Sequence, residues 1–443
     1  MNDDLMDELA DFCVATTTER LPRDVVGKAK LCLTDFLSAA LTPSAEARIA
    51  LRALGNPGAD LGALPLFWTA APTAAYLTSI PAAATGRTDT HVESSSHPGM
   101  VLFPALLALA EQTQASGGRV LSAAVVGYEV MCRLGSAMIT PDVAAVFRPT
   151  GVLGPVAAAA ACAHLLALDE AGTRAALGMA ANAACGLNHW ARAATQEHVL
   201  HSAMAARTGV ESALLAAAGL TASGGAVDGE AGFLAAFGAR DRARLLAGRT
   251  PFAIRDIVHK PAPACIYVQG PCQLAEEIVR RHSPDPARVD SIVVELAEHA
   301  VRYPGCDNSG PIADVVAAQL SVQFSVASVL VAGGILDRNW RNPADAGTNR
   351  LAARTRLAAD PELSARFPAR NGSRVRVLLD DGRVLAAEQD SFPSMTADEI
   401  VRRFRRAADP VYGRAGSEAI LASIDRLDRT SSATGLLHAL QPR

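Results

Sequence analysis

Three stretches of this chain concentrate side chains able to move protons or bind anions. The first is Gly86-Arg87-Thr88-Asp89-Thr90-His91-Val92-Glu93-Ser94-Ser95-Ser96-His97-Pro98-Gly99, a polar run set between two apolar helical patterns. Burying so many polar groups between helices is costly unless they are solvated or used. An exposed interhelical loop accounts for the composition equally well. Asp89, His91, Glu93 and His97 also suggest a metal site, but their spacing matches no strong ligand motif and no cysteine lies near.

The second stretch is His259-Lys260-Pro261-Ala262-Pro263-Ala264-Cys265-Ile266-Tyr267. Its prolines enforce an extended path and hold Lys260 in a fixed direction. Only three of the 41 basic residues are lysines, Lys28, Lys30 and Lys260. Retaining lysine in a chain that otherwise uses arginine points to a need for a compact charge or a releasable proton. The third stretch, Glu197 to Gly209, opens a small-residue helix with His198 and His201 three apart on one face. Alone, they read as capping or core histidines.

The elements that must position these residues are mostly helices. With 443 residues the chain is long enough for two domains. Half of it is hydrophobic, rich in alanine, with only 5% aromatic residues, which favours packed helices over sheets. Helical patterns run from Asp4 to about Leu246, broken by Asn56-Pro57-Gly58 and Ser116-Gly117-Gly118. After Pro251 the pattern changes. Ser291 to Leu296 reads as a strand, and Arg374 to Leu379 turns through Asp380-Asp381-Gly382 into a second hairpin strand. An amphipathic helix is expected over roughly 312–333, and Thr396-Ala397-Asp398-Glu399 should cap another. The fold expected is mainly α, a large helical domain formed by both chain ends (1–251 and 393–443) with a smaller α+β lid inserted at 252–392.

A formal net charge of -4 without long charge blocks leaves no footprint for nucleic acid. The acidic N-terminus lacks the pattern of a signal peptide, and the apolar run Val152 to Leu168 is too short and alanine-rich for a membrane span. Eight scattered cysteines suit a reducing cytoplasm. No phosphate loop or dinucleotide fingerprint occurs, so no cofactor is expected.

Taken in order, the segments resemble the MmgE/PrpD family over essentially the whole chain. The similarity rests on Thr88-Asp89-Thr90-His91, His97-Pro98-Gly99, Phe147-Arg148-Pro149-Thr150-Gly151, His198 to Ala203, Gly229 to Phe233, Lys260 to Cys265, and Val375 to Arg403. The resemblance implies a helical domain and a lid with the active site between them, usually in homodimers. It also implies a di- or tricarboxylate substrate and no metal or organic cofactor. Several family positions differ: Gly86 and Thr88 replace acidic residues, His198 a lysine, Arg148 a histidine and Phe324 a tyrosine. The expected chemistry is proton transfer beside a carboxylate, which needs a base near carbon and a cation near oxygen. His97 is the expected acid–base group, Lys260 the oxyanion stabiliser or proton donor, and Asp89 the group that orients a histidine. His91, Arg148, His198, His201 and Tyr267 are expected to contact substrate. A lyase is expected; an isomerase or epimerase, and a repurposed cyclase or non-catalytic scaffold, are the alternatives.

Overall fold

The structure is a computed structural model that describes residues 5–54, 64–67, 69–239 and 252–441. The break expected at Asn56-Pro57-Gly58 lies outside these residues. The chain is mainly helical, with a small mixed sheet in its C-terminal part. Alanine-rich runs pack closely because a methyl lets helix backbones approach. The helices Pro149–Leu166 and His198–Ala217 form one such pair, against which Ala71–Ala84 and Gly99–Thr113 also pack. Gly117–Met138 and Pro149–Leu166 are long and apolar enough to cross a bilayer. Both are interior here, with 89% and 94% of their most apolar windows buried.

The break expected at Ser116-Gly117-Gly118 falls between Gly99–Thr113 and Gly117–Met138, and its two glycines open the second helix. The Ser116 side chain accepts from the Arg119 amide at 3.2 Å and caps Gly117–Met138. The helix expected over 312–333 is two helices, Val315–Leu320 and Val322–Ala332. Ser321 separates them, taking extended backbone and accepting from the Phe324 amide at 2.9 Å. The second of the pair is not amphipathic, since every residue from Val322 to Leu330 is buried.

The four-stranded sheet has the order Thr355–Ala359, Val289–Leu296, Ser373–Leu379, Val384–Gln389. The first pair is parallel and the others antiparallel, and Asp380-Asp381-Gly382 closes the expected hairpin. The helix Ile266–His282 covers Ser373–Leu379 and Val384–Gln389. Thr396 and Glu399 form a full capping box at the start of Ala397–Asp425, a helix interrupted at Gly413.

Buried apolar side chains gather mainly in two clusters. One draws on residues from Leu5 to Ile257 and again from Phe404 to Leu440; the other runs from Ala262 to Phe392. A small patch of Trp190, Ala191, Val316 and Leu320 touches both halves of the sequence. A second link carries the chemistry. Thr90 and His91 pair antiparallel with Val258 and Ile257, a two-residue ribbon that fixes the first polar loop against the approach to Lys260.

Candidate active site

The loop after Ala71–Ala84 is held by its own polar groups. The Asp89 carboxylate accepts from the Gly99 amide at 2.9 Å and from the Tyr128 hydroxyl. A Cβ on Gly99 would stand 2.8 Å from that carboxylate, so glycine is what allows the approach. Burial pushes the Asp89 carboxyl up, and nearby Asp35 adds to this, because its two donors are neutral. Asp89 thus braces the loop through its side chain and orients His97 through its backbone. The His97 Nδ1 lies 3.1 Å from the Asp89 carbonyl and 2.9 Å from Thr90 Oγ1. A carbonyl can only accept, so Nδ1 carries the proton and Nε2 keeps its lone pair. Burial, then Lys260 and Arg148, hold the His97 pKa well below its ordinary value. Its backbone amide is fixed by Thr150 Oγ1 at 3.1 Å.

Lys260 arrives from the ribbon's other strand. It is 2% exposed, and its ammonium has no hydrogen-bond or ion-pair partner among the described residues. Burial lowers its pKa to about 8, with Cys265 opposing and Arg148 assisting. Its carbonyl accepts from Arg403 at 2.7 Å, and Arg403 in turn pairs with buried Asp35. His259 Nδ1 stands 3.1 Å from Asp35, while its Nε2 is 3.1 Å from Lys28 Nζ. Burial alone would raise the Asp35 pKa, but Arg403 and His259 outweigh it and hold it at about 2. Gly86 adopts φ +66°, and a Cβ there would meet the Pro263 carbonyl at 3.0 Å. The acidic residue expected by resemblance is therefore replaced where the Lys260 segment closes on the backbone.

Arg148, His198 and Trp190 form another wall. Arg148 donates to the His198 carbonyl and lies over the Trp190 ring at 5.4 Å. The His198 ring stacks on Trp190, with ring centroids 4.4 Å apart. Burial lowers the Arg148 pKa to about 10, and burial plus Arg148 lowers His198 to about 3. His201 is affected by the same two causes and falls to about 4, and its buried Nδ1 lacks a hydrogen-bond partner.

His97, Lys260, Arg148 and His198 therefore share one electrostatic neighbourhood. His91 and Tyr267 are turned elsewhere. His91 Nδ1 is 2.8 Å from Ser94 Oγ, within its own loop. The Tyr267 hydroxyl is 2.6 Å from Ser95 Oγ, and its ring meets His299 and Tyr303. Tyr267 and Ser95 line a cleft of about 580 Å³ together with Glu93, Arg192 and Tyr303. His97 and Lys260 are not in that lining; His97 follows Ser95 by two residues on the same loop.

The four groups considered as metal ligands do not converge. Asp89 faces Gly99 and Tyr128, His91 faces Ser94, Glu93 accepts from Ser136 at 2.6 Å, and His97 faces the Asp89 carbonyl. Among the described residues no group of three His, Cys, Asp or Glu side chains could hold a metal ion. Sequence reasoning missed Tyr128, Thr150, Asp35 and Arg403. Asp35 alone carried a signal, as one carboxylate inside the apolar run Cys32-Leu33-Thr34-Asp35-Phe36-Leu37.

The chain is similar in sequence to several known proteins. Cis-aconitate decarboxylase of Aspergillus terreus (strain NIH 2624 / FGSC A1156) is 27% identical, over 98% of this chain and 95% of that protein. The cis-aconitate decarboxylase-like protein oryM of Aspergillus oryzae is 29% identical, over 79% of this chain and 78% of its own length. The Homo sapiens cis-aconitate decarboxylase is 26% identical, over 79% and 76%. The MmgE/PrpD N-terminal domain signature matches residues 7–245, and the C-terminal domain signature matches 262–429, beyond the boundary at 392 expected from sequence. The chain belongs to the MmgE/PrpD family.

Proposed function

We propose that this chain is a cofactor-independent lyase that removes CO₂ or water from a small di- or tricarboxylic acid. The observation that carries the reading is the Lys260 ammonium, buried without a protein partner in the same neighbourhood as a neutral His97. A buried, unpaired cation is expensive, and an anionic ligand is what offsets it. Arg148 supplies a second cation, so two carboxylates of one substrate can be neutralised together.

In dehydration, the His97 Nε2 lone pair accepts the proton from the carbon beside a carboxylate. Lys260 stabilises the enolate oxygens that form and protonates the departing hydroxyl. In decarboxylation, the electron pair left by departing CO₂ moves into adjacent unsaturation and takes a proton from Lys260, which solvent restores. The Lys260 pKa of about 8 suits both roles, since it is mostly ammonium at pH 7 yet releases a proton readily. The names of the relatives favour decarboxylation. We further read residues 252–392 as a lid over the remaining helical body, a division supported by the two separate apolar clusters.

The test is NMR in D₂O with a panel of di- and tricarboxylic acids that includes cis-aconitate and citrate. Loss of CO₂ with one solvent deuterium on the product carbon, or loss of water, is expected. Exchange with neither loss would make the chain an isomerase, and no exchange with any acid would leave it a scaffold.

A further inference from the structure

The cleft of about 580 Å³ has two unlike walls. One comes from the C-terminal half and is aromatic. Tyr267 meets His299 edge-on at 5.3 Å and Tyr303 at 5.4 Å, and the His299 ring lies 3.8 Å from Phe367. Burial lowers the His299 pKa to about 4, so at pH 7 its ring is neutral and joins this surface as a flat face. His299, Tyr303 and Phe367 are only half-buried, so protein does not cover these rings completely. The other wall follows the end of Gly117–Met138 and the short helix Pro141–Val146, with Ile139, Pro141, Ala144 and Ala145. Its alanines leave room opposite the rings. The lining carboxylates are engaged already: Glu93 accepts from Ser136 at 2.6 Å, and Glu298 lies 3.8 Å from Arg302. Arg192 adds a positive charge with no ion-pair partner among the described residues. A cationic ligand is therefore disfavoured, whereas a flat apolar group finds rings to pack on.

The cleft adjoins the candidate site through two of its lining groups. Ser95, bonded to the Tyr267 hydroxyl at 2.6 Å, stands two residues before His97, at most about 7 Å away along the chain. Tyr303 packs against the cluster of Trp190, the ring that carries Arg148 at 5.4 Å and His198 at 4.4 Å. We infer that this cleft binds a flat apolar substituent of the substrate, so that the acid the chain acts on is an aryl-substituted di- or tricarboxylic acid whose carboxylates meet Lys260 and Arg148. A cavity of this volume takes a drug-sized ligand. The carboxylates alone leave it unfilled, because neither His97 nor Lys260 lines it.

This inference rests on reading Lys260 and Arg148 as the cations of the site, but its test needs no turnover. The probes are 2-benzylsuccinate and 2-methylsuccinate, which share a dicarboxylate and differ by one phenyl ring. Titration calorimetry on the wild-type protein should show 2-benzylsuccinate bound roughly 10- to 100-fold more tightly, the gain from burying one aromatic ring. With isotope-labelled isoleucine methyls, the Ile139 resonance, identified by its loss in Ile139→Val, should move with 2-benzylsuccinate and stay with 2-methylsuccinate. Ala145→Phe places a ring in the cleft and should bring the two affinities together without changing that for 2-methylsuccinate. No binding of 2-benzylsuccinate, equal affinities in the wild type, an unmoved Ile139 resonance, or a preference that survives in Ala145→Phe overturns the inference. Because the wild type carries two readouts, an Ala145→Phe variant that fails to fold does not blunt the test. Lys260→Gln should weaken both acids alike. If it weakens neither while the phenyl preference and the Ile139 shift remain, the reading of Lys260 in the proposed function fails and the cleft stands as the site of the aryl group.

Discussion

The cluster around Asp35 and the cluster around Asp89 sit near each other in the interior and treat charge in opposite ways. Asp35 meets Arg403 and His259, so its charge is matched and its pKa is held at about 2. Asp89 meets an amide and a phenol, both neutral, and its carboxyl is pushed up. The cations divide the same way, with Arg403 paired and Lys260 unpartnered. Matched charges hold a fold together; an unmatched one costs stability and persists where a ligand completes it. The first cluster thus positions the Lys260 backbone through Arg403, and on the proposed function the second is where a substrate would bind.

The largest effect should come from Lys260→Met. Turnover should fall by roughly 10²- to 10⁴-fold, the range for losing an acid–base group. Yet the protein should hold its stability or gain about 1–3 kcal/mol by chemical denaturation, because a buried ammonium shifted to about 8 costs roughly 3 kcal/mol at pH 7. The sign follows from the depressed folded-state pKa. The penalty is full below about pH 8 and fades from there toward the ordinary 10.5, as the folded chain sheds its proton first. A variant destabilised by several kcal/mol would move Lys260 into the matched class.

Asp35→Ala should do the reverse, losing about 3–5 kcal/mol by stranding Arg403 and His259. Asp89→Asn should change stability by no more than about 1 kcal/mol, since it removes no ion pair. The Asp35 pKa is depressed, so its contribution is present above about pH 4 and is lost as pH falls through about 2. Wild type and Asp35→Asn should therefore converge in stability across that window. Equal losses for Asp35→Ala and Asp89→Asn would erase the distinction between the clusters.

The smallest effect concerns recognition. Arg148→His restores the residue type expected from the family resemblance and removes the guanidinium from Trp190. Preference among carboxylic acids, measured as ratios of kcat/KM, should shift by roughly 10-fold, about 1.4 kcal/mol. An unchanged preference would take Arg148 out of substrate contact.

Much of this was legible from residue types. Alanine-rich runs pointed to the helices, Asp380-Asp381-Gly382 to the hairpin, and the density of polar groups at 86–99 with the lone Lys260 to the candidate site. Pairing across distance was not legible. Thr355–Ala359 carries only one β-branched residue, and it becomes a strand because Val289–Leu296 offers it a parallel edge. The ribbon of Thr90–His91 with Ile257–Val258 is two residues long, too short to leave a period. Tyr128 follows Val125-Val126-Gly127 in an apolar run that does not register its hydroxyl's bond to Asp89. Ser321 ended one helix and began the next by a local hydrogen bond that hydrophobicity does not register.

The most direct test is the pH dependence of kcat/KM, from about 5.5 to 10, on whichever acid the chain converts. Lys260 must be protonated to give its proton, so activity should fall above about pH 8. His97 stays neutral across the range, so no limb should appear near pH 6.5. Lys260→Arg should flatten the alkaline limb along with the residual activity. An acid limb near 6.5, or an alkaline limb that survives in Lys260→Arg, would contradict the assignment of these two groups.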